Sequence, residues 1–162
     1  MPRKLVLGLM AVGLSFTLAA EAEAADVRKR REYGATPEQA WAVIKDFCSI
    51  STWHPAIKSC ALSTKDGATI RTLTTQDGKK FVEQLVSADD KTTTLTYKIL
   101  ESPLPVQNYV SSIKVGWDDD GCEVVWTSKF DPKGASEADA VKAVTDVYSA
   151  GLKGLTRVLK QS

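Results

Sequence analysis

What this chain lacks narrows its chemistry. It has a single histidine, His54, in 162 residues. Without a second imidazole, a typical histidine-based metal site cannot be built. The three cysteines, Cys48, Cys60 and Cys122, follow no zinc-motif spacing. There is no glycine-rich phosphate loop, Walker motif or dinucleotide fingerprint, so no cofactor is implied. No Ser-His-Asp or Cys-His order can be assembled for nucleophilic catalysis. An excess of one charge is also missing: Lys and Arg number 21 against 20 Asp and Glu. No strong field points to nucleic acid. The basic run Arg28–Arg31 reads first as a solvated strand face, with a phosphate or headgroup patch as the alternative. No repeat or low-complexity tract occurs, and the length suits one domain with a sizeable core.

Long apolar runs are scarce too. The one present, Leu5–Ala20, is about 16 residues long, short of the roughly 20 that a spanning helix needs. Arg3 and Lys4 precede it, and Ala22-Glu23-Ala24 follows with a small-x-small pattern. These are the three parts of a secretory signal peptide, expected over residues 1–25. The alternative is an uncleaved anchor. No cysteine stands at the cleavage zone to carry a lipid. The expectation is a periplasmic protein whose single domain covers 26–162, with no stable membrane span after cleavage. In an oxidising compartment a Cys48–Cys60 bond is allowed. Buried free thiols fit the composition equally well.

What is there is mostly strand. A first strand is expected over 26–33. Thr36-Pro37-Glu38-Gln39 then reads as a helix start, with Thr36 and Gln39 as a capping box and Pro37 at the first helical position. That helix should stop near Phe47, with a second short piece to Trp53 and Pro55 ending it. From Lys58 to Asp131, β-branched and aromatic residues alternate with turn signals at Asp66-Gly67, Asp77-Gly78, Asp89-Asp90 and Asp120-Gly121. The pattern predicts six antiparallel strands near 57–64, 68–75, 79–87, 93–101, 106–118 and 122–131. Ser136 with Asp139 reads as another capping box. Beyond it Val141, Val144, Tyr148, Leu152, Leu155 and Leu159 form one apolar helical stripe. Only the sheet can cover that stripe. The economical packing is an α+β fold, an antiparallel sheet curled around one long helix. A curved sheet cannot touch a straight helix everywhere, so the geometry allows a cavity between them.

Several phrases carry a resemblance: Trp53-His54-Pro55, Gly67 with Arg71, Asp77-Gly78 followed by Val82-Glu83 and Leu85, Tyr97, and Leu104-Pro105-Val106 with Asn108-Tyr109 and Ser111. Trp126 with Phe130 and Pro132, and Tyr148 with Gly151-Leu152 and Leu155, complete it. Over roughly residues 27–160 the chain resembles the helix-grip superfamily (SRPBCC, START-like, polyketide cyclase/dehydrase-like). It is most similar to the periplasmic MxaD-like proteins. The resemblance implies a seven-stranded antiparallel sheet around a C-terminal helix. It also implies a ligand cavity, with the 102–106 loop near the mouth as a gate or as a plain connector. The MxaD-like proteins are accessory factors of methanol oxidation, which implies a periplasmic dehydrogenase or cytochrome as partner.

Strand alternation sorts the faces. Leu95, Tyr97 and Ile99 share one face. So do Tyr109, Ser111, Ile113, Val115 and Trp117, and so do Val124, Trp126, Ser128 and Phe130. The opposite faces carry Thr94, Lys98, Ser112, Lys114, Glu123 and Lys129. The apolar, aromatic face with a few hydroxyls suits a small-molecule pocket, and a closed core would show the same pattern. Arg71 and Glu83 lie at similar distances from the Asp77-Gly78 turn and are expected side by side on the inner face. A lone buried charge is costly, so pairing or water is required. The pair reads either as a polar anchor for a ligand or as a structural ion pair at the sheet edge. His54 reads as a structural turn residue or, less simply, as an acid or base at the mouth.

The candidate cavity residues are Trp53, His54, Arg71, Glu83, Tyr97, Tyr109, Trp117, Trp126 and Tyr148. The functional expectation is a binding or accessory protein for an apolar or amphipathic small molecule, without an assigned catalytic residue. The competing expectation is a cyclase- or dehydratase-like enzyme using Arg71, Glu83 or His54 as proton carriers.

Overall fold

The computed structural model describes residues 24–160. The expected signal peptide lies outside the described residues as far as residue 23. Ten elements follow in order: β1 (Ala25–Tyr33), α1 (Pro37–Ile44), α2 (Ile50–Trp53), β2 (Ile57–Lys65), β3 (Ala68–Thr75), β4 (Lys80–Asp89), β5 (Thr94–Glu101), β6 (Val106–Asp118), β7 (Gly121–Pro132) and α3 (Glu137–Leu159). The strand at the amino end begins one residue earlier than expected. Ala25 is buried and pairs with Phe130, so it belongs to the fold.

All seven strands form one antiparallel sheet in the order β1-β7-β6-β5-β4-β3-β2. Six of them are a simple meander, each following its predecessor through a short turn. The Asp66-Gly67 turn has positive φ at both residues, 50° and 77°. That is the turn geometry matched to the twist of a hairpin, and it favours this pair of residues. In β6 a bulge falls between Gln107 and Val110, with Asn108 at φ 52°. The extra residue lets both Val106 and Tyr109 face inward.

The helices close the concave side. Thr36 Oγ1 accepts from the Gln39 amide, and Gln39 Oε1 accepts from the Thr36 amide, so the capping box is complete. Such a cap contributes about 1 kcal/mol. α1 ends at Ile44, short of the expected stop at Phe47. There Asp46 Oδ1 takes the Cys48 amide and turns the chain. At α3 the Ser136 hydroxyl accepts from the Asp139 amide and donates to the Asp139 carboxylate. The carboxylate therefore returns to the hydroxyl, not to the backbone. α3 rests on β1 and β7, and Tyr33 of β1 donates to the Leu152 carbonyl at 2.7 Å. α2 packs on both β2 and α3, bridging the far edge of the sheet to the helix. A Cys48–Cys60 disulfide fastens the α1–α2 connection to β2, while Cys122 is free and buried. Between these supports, the middle strands stand away from α3.

Candidate ligand site

A cavity of about 350 Å³ fills that gap. Its walls come from α2 and the turn after it (Ile50, His54, Ala56), Ile57 at the start of β2, the inner faces of β3 to β7, and Val147 and Tyr148 of α3. The lining is mainly apolar. The cavity reaches solvent between the β3–β4 turn, at Gln76, Asp77 and Lys79, and Pro103–Leu104 of the β5–β6 loop.

Two polar groupings bound it. The first is the ion pair. Arg71 and Glu83 face each other directly across β3 and β4. Arg71 Nε donates to Glu83 Oε2 at 2.5 Å, and Nη1 donates to the Phe47 carbonyl at 2.5 Å. The guanidinium lies 4.0 Å from the centroid of the Phe47 ring and 4.9 Å from that of Tyr97. Arg71 and Glu83 are 1% and 4% exposed. β3 and β4 are interior strands, so this is not a pair at the sheet edge. Arg71 stands behind Glu83, and only Glu83 lines the cavity. Arg71 Nη2 has no partner among the described residues.

The second grouping is a hydroxyl cluster. Ser111 Oγ donates to the Thr127 carbonyl at 2.8 Å and accepts from Trp126 Nε1 at 2.9 Å. The Tyr148 hydroxyl lies 2.9 Å from Ser111 Oγ and bonds to the Tyr109 hydroxyl. Because the serine proton is committed to a carbonyl, Tyr148 donates to Ser111 and Tyr109 donates to Tyr148. Trp126 and Tyr148 stack at 4.3 Å between centroids, 12° from parallel. Ser128 Oγ, on the same face of β7, stands beside the Tyr148 hydroxyl without a close hydrogen bond of its own.

No curated protein matches the chain. The family described as polyketide cyclase / dehydrase and lipid transport matches residues 24–160. The chain belongs to that family. XoxI from Bacillus cereus is 34% identical, with a TM-score of 0.78, over 83% of this chain and 95% of that one. A putative uncharacterized protein from Bacillus thuringiensis is also 34% identical, with a TM-score of 0.76, over 83% and 98%. The Zhui aromatase/cyclase from a Streptomyces species is 14% identical, with a TM-score of 0.72, over 86% and 95%. That last likeness is one of fold.

Within this member of the polyketide cyclase/dehydrase family, the nine candidate residues do not all reach the cavity. His54, Glu83, Tyr97, Tyr109, Trp126 and Tyr148 line it. Trp53 is buried behind the wall, edge-on to Trp126 at 5.7 Å, and Arg71 sits behind Glu83. Trp117 is a correction: it is 78% exposed and lines no part of the cavity. It shares a face with Tyr109, but β6 runs on past the part of that face the helices cover. Ile50, Ile57 and Val147 were missed. Ile50 lies on the four-residue α2, too short to show a period, and Ile57 is the only buried residue of β2, so that strand shows no alternation to point to it. Val147 could have been found as the neighbour of Tyr148 along the helix.

His54 is fully engaged. Its Nε2 lies 3.0 Å from the Val147 carbonyl, which can only accept, so Nε2 carries the proton. Its Nδ1 accepts the Ala56 amide at 3.2 Å. Burial holds its pKa below the ordinary imidazole value. A neutral ring with both nitrogens committed presents neither lone pair nor proton to the cavity. Burial pushes the Glu83 carboxyl up, against the pull of Arg71. Burial also drives Tyr97 and Tyr109 well above the usual phenol range, and Tyr148 up to about 12. The tyrosines are therefore neutral hydrogen-bonding groups at physiological pH. Two glycines bring α3 close: a β-carbon on Gly151 would lie 2.7 Å from both the His54 and Trp126 rings, and one on Gly154 would meet the Trp53 carbonyl. Among the described residues no group of acidic, cysteine or histidine side chains could hold a metal ion, and no helix is long and apolar enough to cross a membrane.

Proposed function

We propose that this protein holds an apolar or amphipathic small molecule between its sheet and α3, in the periplasm. The observation that carries this reading is the cavity: about 350 Å³, mainly apolar, with a few polar groups at fixed places. Ligand sites have that composition, and the volume lies at the lower end of their usual range. A compact one- or two-ring molecule fits better than an extended lipid. The family's description, which includes lipid transport, agrees with a carrier. Export is supported by the leader-like pattern ahead of β1 and by the Cys48–Cys60 disulfide, a bond typical of oxidising compartments.

Native mass spectrometry on protein purified from its own periplasm tests the carrier reading. A reproducible extra mass that disappears on denaturation is expected. A clean apo mass, together with failure to bind small aromatic probes, would overturn it. Recovery of the protein only from the cytoplasm would overturn the localisation.

A second reading is favoured by Trp117, which stands exposed beside a cleft that includes Pro37, Trp41 and Lys45. An exposed tryptophan suits contact with another protein. In this reading the protein assists a periplasmic dehydrogenase such as methanol dehydrogenase, or its cytochrome, as the MxaD-like resemblance implies. Co-purification with such an enzyme, reduced in Trp117→Ala, is the expected result. The enzymatic alternative finds less support, since His54 offers no free nitrogen and Glu83 is held by Arg71. Turnover lost in Glu83→Gln with binding retained would restore it.

A further inference from the structure

The Arg71–Glu83 pair is half open. A side-on arginine–carboxylate pair ordinarily uses Nε and one Nη against both oxygens. Here only Nε is used. Nη2 is buried without a partner, and no donor among the described residues reaches Glu83 Oε1. The carboxylate is thus turned so that its second oxygen is free, and Glu83 lines the cavity. One strand away, the Tyr97 hydroxyl accepts from Trp126 Nε1 at 3.2 Å. The Ser111 hydroxyl stands near it, but Ser111 Oγ already accepts from Trp126 and Tyr148 and gives its proton to the Thr127 carbonyl, so the Tyr97 proton has no close acceptor there, and Tyr97 also lines the cavity. Glu83 pairs with Ile99 and Leu85 pairs with Tyr97. Glu83 and Tyr97 are therefore diagonal neighbours on one face, their Cα atoms roughly 7–8 Å apart. A free acceptor and a free donor face the same space.

We infer that Glu83 and Tyr97 form a docking point for one hydroxyl group on an uncharged aromatic ligand, which donates to Glu83 Oε1 and accepts from the Tyr97 hydroxyl. This deepens the carrier reading and rests on it. A hydroxyl can make both bonds at once. A carboxylate head would meet Glu83 with like charge, and Arg71 does not line the cavity to offset it. An ammonium head would satisfy Glu83 but could not accept from Tyr97. It would also leave a net charge beside a pair that is already neutral, and uncompensated buried charge is costly. The aromatic walls, Phe81, Tyr109, Trp126 and Tyr148 among them, favour a flat ring behind the hydroxyl.

Titration calorimetry at neutral pH with 2-naphthol, naphthalene and 2-naphthoate tests this. The hydroxyl compound is expected to bind about tenfold or more tighter than either of the others, the equivalent of one well-placed hydrogen bond or more. In Tyr97→Phe the preference for naphthol over naphthalene should shrink to about threefold or less. In Glu83→Gln the uncompensated Arg71 should shift the preference toward naphthoate. Should that variant fail to fold, the Tyr97→Phe ratio still decides. Equal affinities for all three compounds would overturn this inference and leave the carrier reading standing. No binding of any of them would overturn both.

Discussion

The two polar groupings of the cavity are built on opposite plans. In the hydroxyl cluster, Ser111, Trp126, Tyr109 and Tyr148 pass their protons in one direction to the Thr127 carbonyl, and each proton has a destination. At the ion pair, an arginine nitrogen and a carboxylate oxygen go unused by the protein. Both are buried, so exposure does not separate them. What separates them is whether the polar groups are consumed. Satisfied buried networks specify one packing, whereas incomplete ones cost stability unless something else completes them. The cluster is therefore read as architecture and the pair as a site. Burial alone would have made them alike.

The sharpest way to break that comparison is to remove a charge. Glu83→Gln strands the Arg71 guanidinium and should cost about 3–5 kcal/mol in urea unfolding, while a double change of Arg71→Met and Glu83→Leu should cost far less. If the double variant were as unstable as the single one, the pair would be structural in the ordinary sense. Ser111→Ala comes next. It removes the acceptor of Trp126 and Tyr148 together and should cost about 1–3 kcal/mol. A cost equal to that of Glu83→Gln would erase the difference between the two groupings.

His54 sharpens the comparison through pH. Its folded pKa lies below the ordinary value of 6.5. As pH falls through that value, the unfolded chain binds a proton that the folded chain refuses, so stability declines. Glu83, raised in the fold, acts in the opposite sense, since the folded chain takes its proton first. The slope of unfolding free energy between pH 7.5 and 5 should therefore flatten in His54→Gln, or reverse. An unchanged slope would mean the ring is not held neutral. The smallest effect belongs to Trp117. Trp117→Ala should change stability by no more than about 0.5 kcal/mol and should remove most of the tryptophan emission that acrylamide quenches.

Much of this is legible in the sequence alone. Alternation placed Tyr97, Tyr109 and Trp126 on the inner face, and counting outward from the Asp77-Gly78 turn set Arg71 beside Glu83. Local rules sufficed there because hairpin register is a local property. Trp117 shows their limit. Alternation says which way a side chain points, not whether anything covers it. The Phe47 carbonyl, which holds Arg71, carries no side-chain signal at all. The orientation of the Glu83 carboxylate depends on distances between elements far apart in sequence, and no periodicity encodes it. Gly151 and Gly154 were readable in principle. Small residues on the buried stripe of a helix mark a place where something else must come near.

Those two glycines act as a gauge. Each lowers the helix-forming tendency of α3 by about 1 kcal/mol relative to alanine. In return the helix settles against the end of α2, where even one methyl group at position 154 would collide with the Trp53 backbone. The width of the chamber is thus set by absent atoms on the far wall, not by the residues a ligand would touch. Adding carbon at 151 would strike the His54 and Trp126 rings that line the chamber, whereas adding it at 154 pushes the helix off its seat against the Trp53 carbonyl and leaves those rings untouched. That offers a route to larger cargo which leaves the polar fittings of the sheet in place.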